Sequence, residues 1–437
     1  MTYEFLIPCG GCLLAFLCLI LAVRANRKKR LVDDLPTSKT TGVFIGLVEL
    51  KGTAESADPL TSQLAEQHCV HYEYSVDEHW SRIVTETYTD SQGKTKTRTR
   101  TESGWTTVDS GGQAIPFYLE DDHGIILVRP DGAKIQPTRI FNTTCGRSHP
   151  LYYGKGPTSS VANSDHRRRF VETALPLHRT LYIMGRARER NDIVAPEIAY
   201  DKEAPMFLIS TKTEEAVSRG LWWAYFWWAF FGLLFCLAGF VIHDIVSEIS
   251  WQERIWVYAI AVGGYAFSLM IGWVWMVYNS LINLRQRVKQ GWSLIDIQLK
   301  RRHDLIPSLV NIVSALKEHE RDLQADVAEL RSQAGITAPG DGGTRPRAVG
   351  SRLIAIAEAY PELKTNESFL NLQNNLIDAE QRIALARGYY NDIASFYNTR
   401  LEIIPDRWMA KIAGLKPRNL MMAADFERAP VEVKFVD

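Results

Sequence analysis

Three groups of side chains in this 437-residue chain have types and spacing that could do chemistry. Cys69, His71 and Glu73 alternate, so a strand would set a thiol, an imidazole and a carboxylate on one face with His68 on the other, a possible metal arrangement. No second ligand pair stands at zinc-site spacing, and a packed strand with incidental polar groups is the simpler reading. Lys94, Lys96, Arg98 and Arg100 alternate with Thr95, Thr97, Thr99 and Thr101, and Arg167, Arg168 and Arg169 follow a Gly/Ser/Pro/Asn-rich stretch. These seven cations are candidate contacts for anionic headgroups or an acidic partner. The alternatives are a hairpin charged for solubility and edge protection, and a solvated loop. In the C-terminal part, Asp296, Arg301, Arg302, Asp304, Glu380, Arg382, Tyr390, Asn391, Asn398 and Arg400 form a candidate polar network. Carboxylates on facing helices can bind metals, but no E-x-x-H repeat is present, so interhelical ion pairs and N-caps account for them better. A docking surface is the second reading and catalysis the last. There is no phosphate loop, no H-E-x-x-H and no nucleophile elbow, so no catalytic residue, metal or cofactor is assigned.

The elements that position these residues begin in a membrane. Phe5–Val23, Gly220–Ile242 and Ile255–Val277 carry no charge, and each is long enough to cross a hydrocarbon core of about 30 Å. A basic cluster (Arg24, Arg27, Lys28, Lys29, Arg30) follows the first run, where a cleaved signal would place it before, so the run reads as an anchor. Trp222, Trp223, Trp227, Trp228, Trp251, Trp256, Trp273 and Trp275 gather towards the ends of the second and third runs, as headgroup-level rings do. The balance of 50 Lys+Arg against 50 Asp+Glu excludes a strongly basic nucleic-acid binder. The basic cluster and Arg285, Arg287 and Lys289 fall on one side of the spans. Glu4, Asp244, Glu248 and Glu253, with one Arg (Arg254), fall on the other. The positive-inside rule then puts the N-terminus outside and both soluble parts in the cytoplasm of a multi-pass membrane protein; an inverted topology is the alternative.

Between the first two spans, Val43–Leu50, Cys69–Val76, Phe117–Leu119 and Ile125–Val128 read as short strands. Asp121–Gly124 and Pro130–Gly132 read as turns, together a small β barrel or sandwich. After the third span, Leu281, Leu284, Val288, Trp292, Ile295 and Leu299 continue a helical rhythm as one rod, and a second helix is expected to open near Asp304 and Pro307. A loop at Ala338–Arg347 and a helix at Ala348–Tyr360 follow. A long heptad pattern then runs from Asn366, a good cap, to Ile404, where Pro405 stops it. The expected boundaries are spans at 5–23, 220–242 and 255–277, a basic linker at 24–41, a β domain at 42–214, and a short external loop at 243–254. A helical bundle at 278–426 and a tail at 427–437 complete the chain.

Two stretches carry family resemblances. K-R-R-H-D-L-I-P-S-L-V (Lys300–Val310), A-Y-P-E-L-K (Ala359–Lys364), N-E-S-F-L-N-L-Q (Asn366–Gln373), A-R-G-Y-Y-N-D (Ala386–Asp392) and F-Y-N-T-R (Phe396–Arg400) resemble the LemA family of bacterial membrane proteins, in family order, over about 278–426. That resemblance implies an anchored cytoplasmic helical bundle, in the bacterial inner membrane, with no established enzymatic activity. I-G-L-V-E-L-K-G-T-A (Ile45–Ala54), C-V-H-Y-E-Y (Cys69–Tyr74), P-F-Y-L-E-D-D-H-G (Pro116–Gly124) and R-P-D-G-A (Arg129–Ala133) resemble the GIDE domain of mitochondrial E3 ubiquitin ligases over about 42–210. In those ligases catalysis belongs to a RING of Cys/His zinc ligands, whereas this chain has no cysteine after Cys236. The expected fold is therefore an α + β membrane protein: three transmembrane helices, a cytoplasmic mainly-β domain, and an antiparallel helical bundle continuous with the third span. The expected function is a non-enzymatic scaffold that recruits or oligomerises partners. Its partners are the lipid bilayer, other membrane or cytoplasmic proteins, and further copies of itself through close contact at Gly263, Gly264 and Gly272. Ubiquitin-ligase-like activity is the alternative.

Overall fold

Apolar residues at helical spacing and at alternating spacing occupy separate stretches of the chain, and the computed structural model divides accordingly. It describes residues 6–89, 95–190, 195–250, 252–316 and 367–421. One unit takes 1–36 and 218–437, the other 37–217.

The helical unit contains α1 (Leu6–Asp33), α3 (Glu214–Val246), α4 (Ile255–Leu316), α5 (Glu367–Glu402) and α6 (Asp406–Ile412); α2 (Pro150–Gly154) belongs to the other unit. Three helices are long and apolar enough to cross a membrane: α1, α3 and the Ile255–Arg301 part of α4. They meet at Ala15, Cys236 and Tyr265, whose hydroxyl donates to the Ala229 carbonyl at 2.9 Å. The backbones of α1 and α3 approach most closely at two glycines, since a Cβ on Gly11 would stand 2.8 Å from Gly239 Cα. Gly272 faces Val23, while a Cβ at Gly263 or Gly264 would meet nothing within 4 Å. Trp222, Trp223, Phe226, Trp227 and Phe230 remain exposed along α3, a surface suited to lipid.

At 62 residues, α4 is a single rod of about 93 Å. The second helix expected to open near Asp304 and Pro307 does not: the chain stays helical through Pro307 to Leu316. A proline removes one backbone donor, and a helix this long keeps its course through that loss. Val277, Leu281, Leu284, Val288, Gly291 and Ile295 are buried in steps of four and three. On α5, Ala379, Ile383, Ala386, Tyr390, Ile393 and Tyr397 repeat the same steps. Such a pattern is the seam of a two-helix coiled coil. Arg301 pairs with Asp378, Trp292 stacks edge-on to Tyr390, and Val277 and Leu281 pack near Leu401, so the two helices run in opposite directions. The expected loop at 338–347 and helix at 348–360 lie outside the described residues.

In the β unit, the described residues form thirteen strands: β1 (Thr37–Ser38), β2 (Gly46–Glu55), β3 (Leu60–Thr61), β4 (His68–Thr89), β5 (Thr95–Ala114), β6 (Phe117–Asp121), β7 (Gly124–Val128), β8 (Lys134–Gln136), β9 (Thr138–Gly146), β10 (Ser164–Pro176), β11 (Thr180–Glu189), β12 (Pro196–Ala199) and β13 (Leu208–Ser210). β2 pairs with β6, β6 with β7, β7 with β12, β12 with β11, and β11 again with β2, which closes a small barrel. Its interior holds Val48, Leu50, Phe117, Leu119, Val128, Leu181, Ile183 and Ile198. A second sheet orders β3, β4, β10 and β9, with β5 on β4.

β4 and β5 run on past the last β10 partner, Trp80, as a two-stranded ribbon to Thr89 and Thr95. Register sets Arg100 opposite Val84 and Arg98 opposite Glu86, while Thr85 and Thr87 face Thr99 and Thr97. Arg98 and Arg100 thus share one face of the ribbon with Glu86 and Val84; Lys96 sits opposite Tyr88 in register, and Lys94 lies outside the described residues.

Candidate functional site in the helical unit

α1 does not stop where its apolar run ends. It continues through Arg24, Arg27, Lys28 and Lys29 to Asp33, because straight-chain cations are good helix formers and Lys29 pairs with Asp33 one turn on. The basic stretch is thus helical and delivers two carboxylates to neighbouring helices. Ser218 Oγ of α3 donates to Asp33 at 2.6 Å, and Ser280 Oγ of α4 donates to Asp34. Arg400 of α5 reaches Asp34 with Nη1 at 3.1 Å and Asp406 with Nη2 at 2.5 Å, and Arg30 Nη1 stands 3.7 Å from Asp406. Asp406 opens α6, where a carboxylate suits the positive end of the helix dipole. Side-chain exposure is only 15% for Arg400, 9% for Asp34 and 7% for Asp406, so the cluster is closed to solvent and depends on mutual pairing. Burial pushes the Asp34 carboxyl above its usual range, against the pull of Arg400 and Ser280. This lock ties α1, α4, α5 and α6 together.

Farther along α5, Asn391 and Asn398 grip an extended segment that follows α6. Asn398 donates to the Arg418 carbonyl at 2.7 Å and accepts from the Arg418 N–H at 2.8 Å. Asn391 does the same with Met421, at 2.8 Å in both directions. Between them the Tyr390 hydroxyl donates to the Asn419 carbonyl at 2.8 Å.

The sequence-derived network is therefore brought together only in part. Arg400 belongs to the lock, and Arg301 and Arg382 both reach Asp378, at 3.5 and 2.9 Å. Tyr390, Asn391 and Asn398 bind main chain instead of forming interhelical ion pairs. Asp296 and Asp304 lie on α4 and Glu380 on α5; the Arg302 side chain lies outside the described residues. Asp34, Ser280 and Asp406 of the lock are absent from the sequence-derived network. For Asp34 the sequence signal is the Asp-Asp pair two residues beyond the basic cluster; Ser280 and Asp406 carry none.

In the β unit, the basic patch expected at Arg167–Arg169 is corrected. These residues lie in β10, where alternation turns Arg168 inward while Arg167 stays exposed. Arg168 is fully buried, 3.0 Å from Glu78, donating to the carbonyls of Tyr152, Pro157 and Ser159 at 2.7–2.8 Å and lying 4.0 Å over the Tyr152 ring. Burial pushes the Glu78 carboxyl up, but Ser164, Tyr152 and Arg168 together hold it below its usual range. Arg169 pairs with Asp77 at 2.8 Å and covers Trp105. Cys69 and His71 are buried while Glu73 is largely exposed, and among the described residues no group of three or more His, Cys, Asp or Glu could hold a metal. Burial pushes the Cys69 thiol up to about 11, far from a reactive thiolate.

Residues 291–435 match the LemA family, and residues 85–242 match GIDE, described as E3 Ubiquitin ligase. Magnetosome protein MamQ of Magnetospirillum gryphiswaldense is 26% identical over 171 residues, covering 32% of this chain and 63% of that protein. Magnetosome protein MamQ 2 of Paramagnetospirillum magneticum shows the same identity and coverage. Protein LemA of Metamycoplasma hominis is 23% identical over 175 residues, 38% of this chain and 80% of that protein. The chain thus spans less than two thirds of the MamQ proteins it matches. The GIDE match starts inside β4 and ends inside α3, and the LemA match starts on α4 and takes in the Arg400–Asp406 half of the lock and the asparagine-held segment. This membrane protein therefore joins a GIDE segment to a LemA family segment in one chain.

Proposed function

We propose that the protein is a non-enzymatic scaffold of the bacterial inner membrane, with the N-terminus outside and both soluble parts in the cytoplasm, that recruits or assembles partners. The observation that carries this reading is the lock: Arg400 and Asp406, from the LemA segment, are tied to Asp34 at the end of the first apolar helix. A closed charge cluster between helices holds parts in place. Similarity to proteins named for the magnetosome supports work within an assembly. Lipid headgroups meeting Lys94, Lys96, Arg98, Arg100 and Arg167 would add a membrane contact. Reporter fusions at residue 437, with thiol labelling at Cys69 in intact and unfolded states, test the sidedness. Proximity labelling tests the assembly, and a chain that returns no reproducible membrane neighbours is not a scaffold.

The GIDE match favours one other reading, ubiquitin transfer. Incubating the purified chain with a ubiquitin-charged carrier enzyme is expected to give no transfer. Transfer that persists in a Cys69→Ala, Cys145→Ala variant would establish it instead.

A further inference from the structure

The residues of α5 that face the 418–421 segment hold it in an unusual way: every bond they make goes to the main chain. Asn391 and Asn398 each present an amide oxygen and an amide nitrogen to one residue's N–H and C=O, and the Tyr390 hydroxyl takes the Asn419 carbonyl between them. The spacing is matched on both sides. Seven helical residues advance about 10 Å, and the three extended steps from Arg418 to Met421 advance about the same. A helix face carrying asparagines one heptad apart is thus a ladder for an extended peptide running antiparallel to it.

The occupant contributes little else. Residues 416–420 are exposed, and Leu420 keeps 47% of its surface in solvent. The segment reaches the ladder after a turn at Gly414, in the left-handed region at φ 62°, and then Pro417, which cannot extend α6. A strap held by main-chain bonds at the surface, beyond the end of a helix, opens far more readily than the buried seam of α4 and α5.

We propose that this ladder is an exchangeable binding site, and that the 418–421 strap of one chain seats on α5 of a second copy. A site that reads only main chain does not tell one strap from another by side chains, so the same segment of a second chain meets identical donors and acceptors. The extended segment that demonstrably fits it is this chain's own, and neighbouring copies in one membrane carry the same segment. The inference deepens the scaffold reading and rests on it for bringing copies side by side.

The test uses two differently tagged full-length chains co-expressed in one membrane. One carries Ser395→Cys, at the exposed position between Asn391 and Asn398, and the other Leu420→Cys on the strap. The expected result is a disulfide-linked pair of chains that requires both new cysteines. Adding Met421→Pro to the strap chain removes the N–H that Asn391 accepts while leaving every helix intact, and is expected to cut the linked pair at least about tenfold. Asn391→Asp with Asn398→Asp, which keep the acceptors but lose the donors, are expected to do the same. A link that forms only when both cysteines share one chain overturns exchange, as does a link between chains that Met421→Pro leaves unchanged. A Ser395→Cys link to some other protein overturns the second copy as occupant. None of these results touches the scaffold reading, which stands or falls on sidedness and neighbour labelling.

Discussion

The barrel contains one carboxyl whose protonation sets a pH dependence large enough to measure. Glu49, on β2, has a fully buried side chain that accepts from Thr37 Oγ1 at 2.7 Å and from the Tyr182 hydroxyl at 2.9 Å. Lys51 stands 3.6 Å away but is drawn to Glu214 at 2.8 Å, so it neutralises Glu49 only in part. Burial pushes the carboxyl up to about 7; Thr37, Tyr182 and Lys51 pull against it and Glu214 pushes with it. With 4.5 as the unfolded value, the folded state prefers the protonated form. That preference adds stability in full below pH 4.5 and loses it as pH rises through about 7, a change of about 3 kcal/mol. Glu49→Gln imitates the protonated carboxyl at every pH. It should match the wild type near pH 4.5 and exceed it by up to about 3 kcal/mol at pH 8. Cys69 and Cys145 are the buried thiols of this unit, so their labelling, resolved by peptide mass, reports its opening. At pH 8 in mild detergent the variant should label about a hundredfold more slowly than the wild type, because labelling follows the open population. Comparing variants at one pH cancels the intrinsic reactivity of the thiol. Equal rates at pH 8, or a difference of the same size at pH 4.5, would refute the account of Glu49.

Three other perturbations follow from the packing. Arg168→Met strands Glu78 and three carbonyls in the interior and should cost the β unit about 3–5 kcal/mol, read by the same thiol labelling; adding Glu78→Gln should restore part of it. Arg400→Ala leaves Asp34 and Asp406 buried without their cation; a loss of about 3–5 kcal/mol should speed tryptic cutting at Arg407 and Lys411 in α6 by well over tenfold, and unchanged cutting would remove the lock from the argument. Gly11→Val drives a side chain into Gly239 Cα and the Phe235 carbonyl, neither of which can turn aside, so α1 and α3 must separate. Oxidative linking of the neighbouring thiols Cys12 and Cys236 should then fall, whereas Gly10→Val, with nothing near its Cβ, should leave it intact.

How far the sequence carries the structure depends on the range of the cause. The three spans, the seam of α4 and α5, the stop before Pro405 and the Asp121–Gly124 hairpin are local patterns, and each is present. Barrel closure is not local: it depends on β11 returning to β2 across more than a hundred residues, and no short pattern encodes that pairing. The burial of Arg168 is hidden from the sequence for a related reason. A run of three arginines after a loop-like stretch looks solvated, yet strand alternation must send the middle one to the face opposite its neighbours, and Glu78 waits there on a strand ninety residues earlier. The helix break expected at Pro307 failed because a local penalty was set against a rod whose other residues all favour continuing.

The polar residues of the LemA-like stretches show what a residue list conceals. Asn391, Asn398 and Arg400 look alike on paper, as hydrophilic positions on one long helix. The structure separates them by what they meet: Arg400 turns into a closed cluster of carboxylates, while the asparagines face a neighbouring main chain. The chemistry of each side chain decides that division. A guanidinium satisfies two acidic partners at once and is costly to bury without them, whereas a primary amide pairs fully with a single peptide unit and carries no charge to balance. An ion-pair partner at position 391 or 398 would fix one neighbour by charge, and an amide there fixes only the extended course of whatever chain lies across it. A closed cluster of ion pairs and a grip on main chain thus sit on the same helix, two residues apart at their nearest, Arg400 and Asn398.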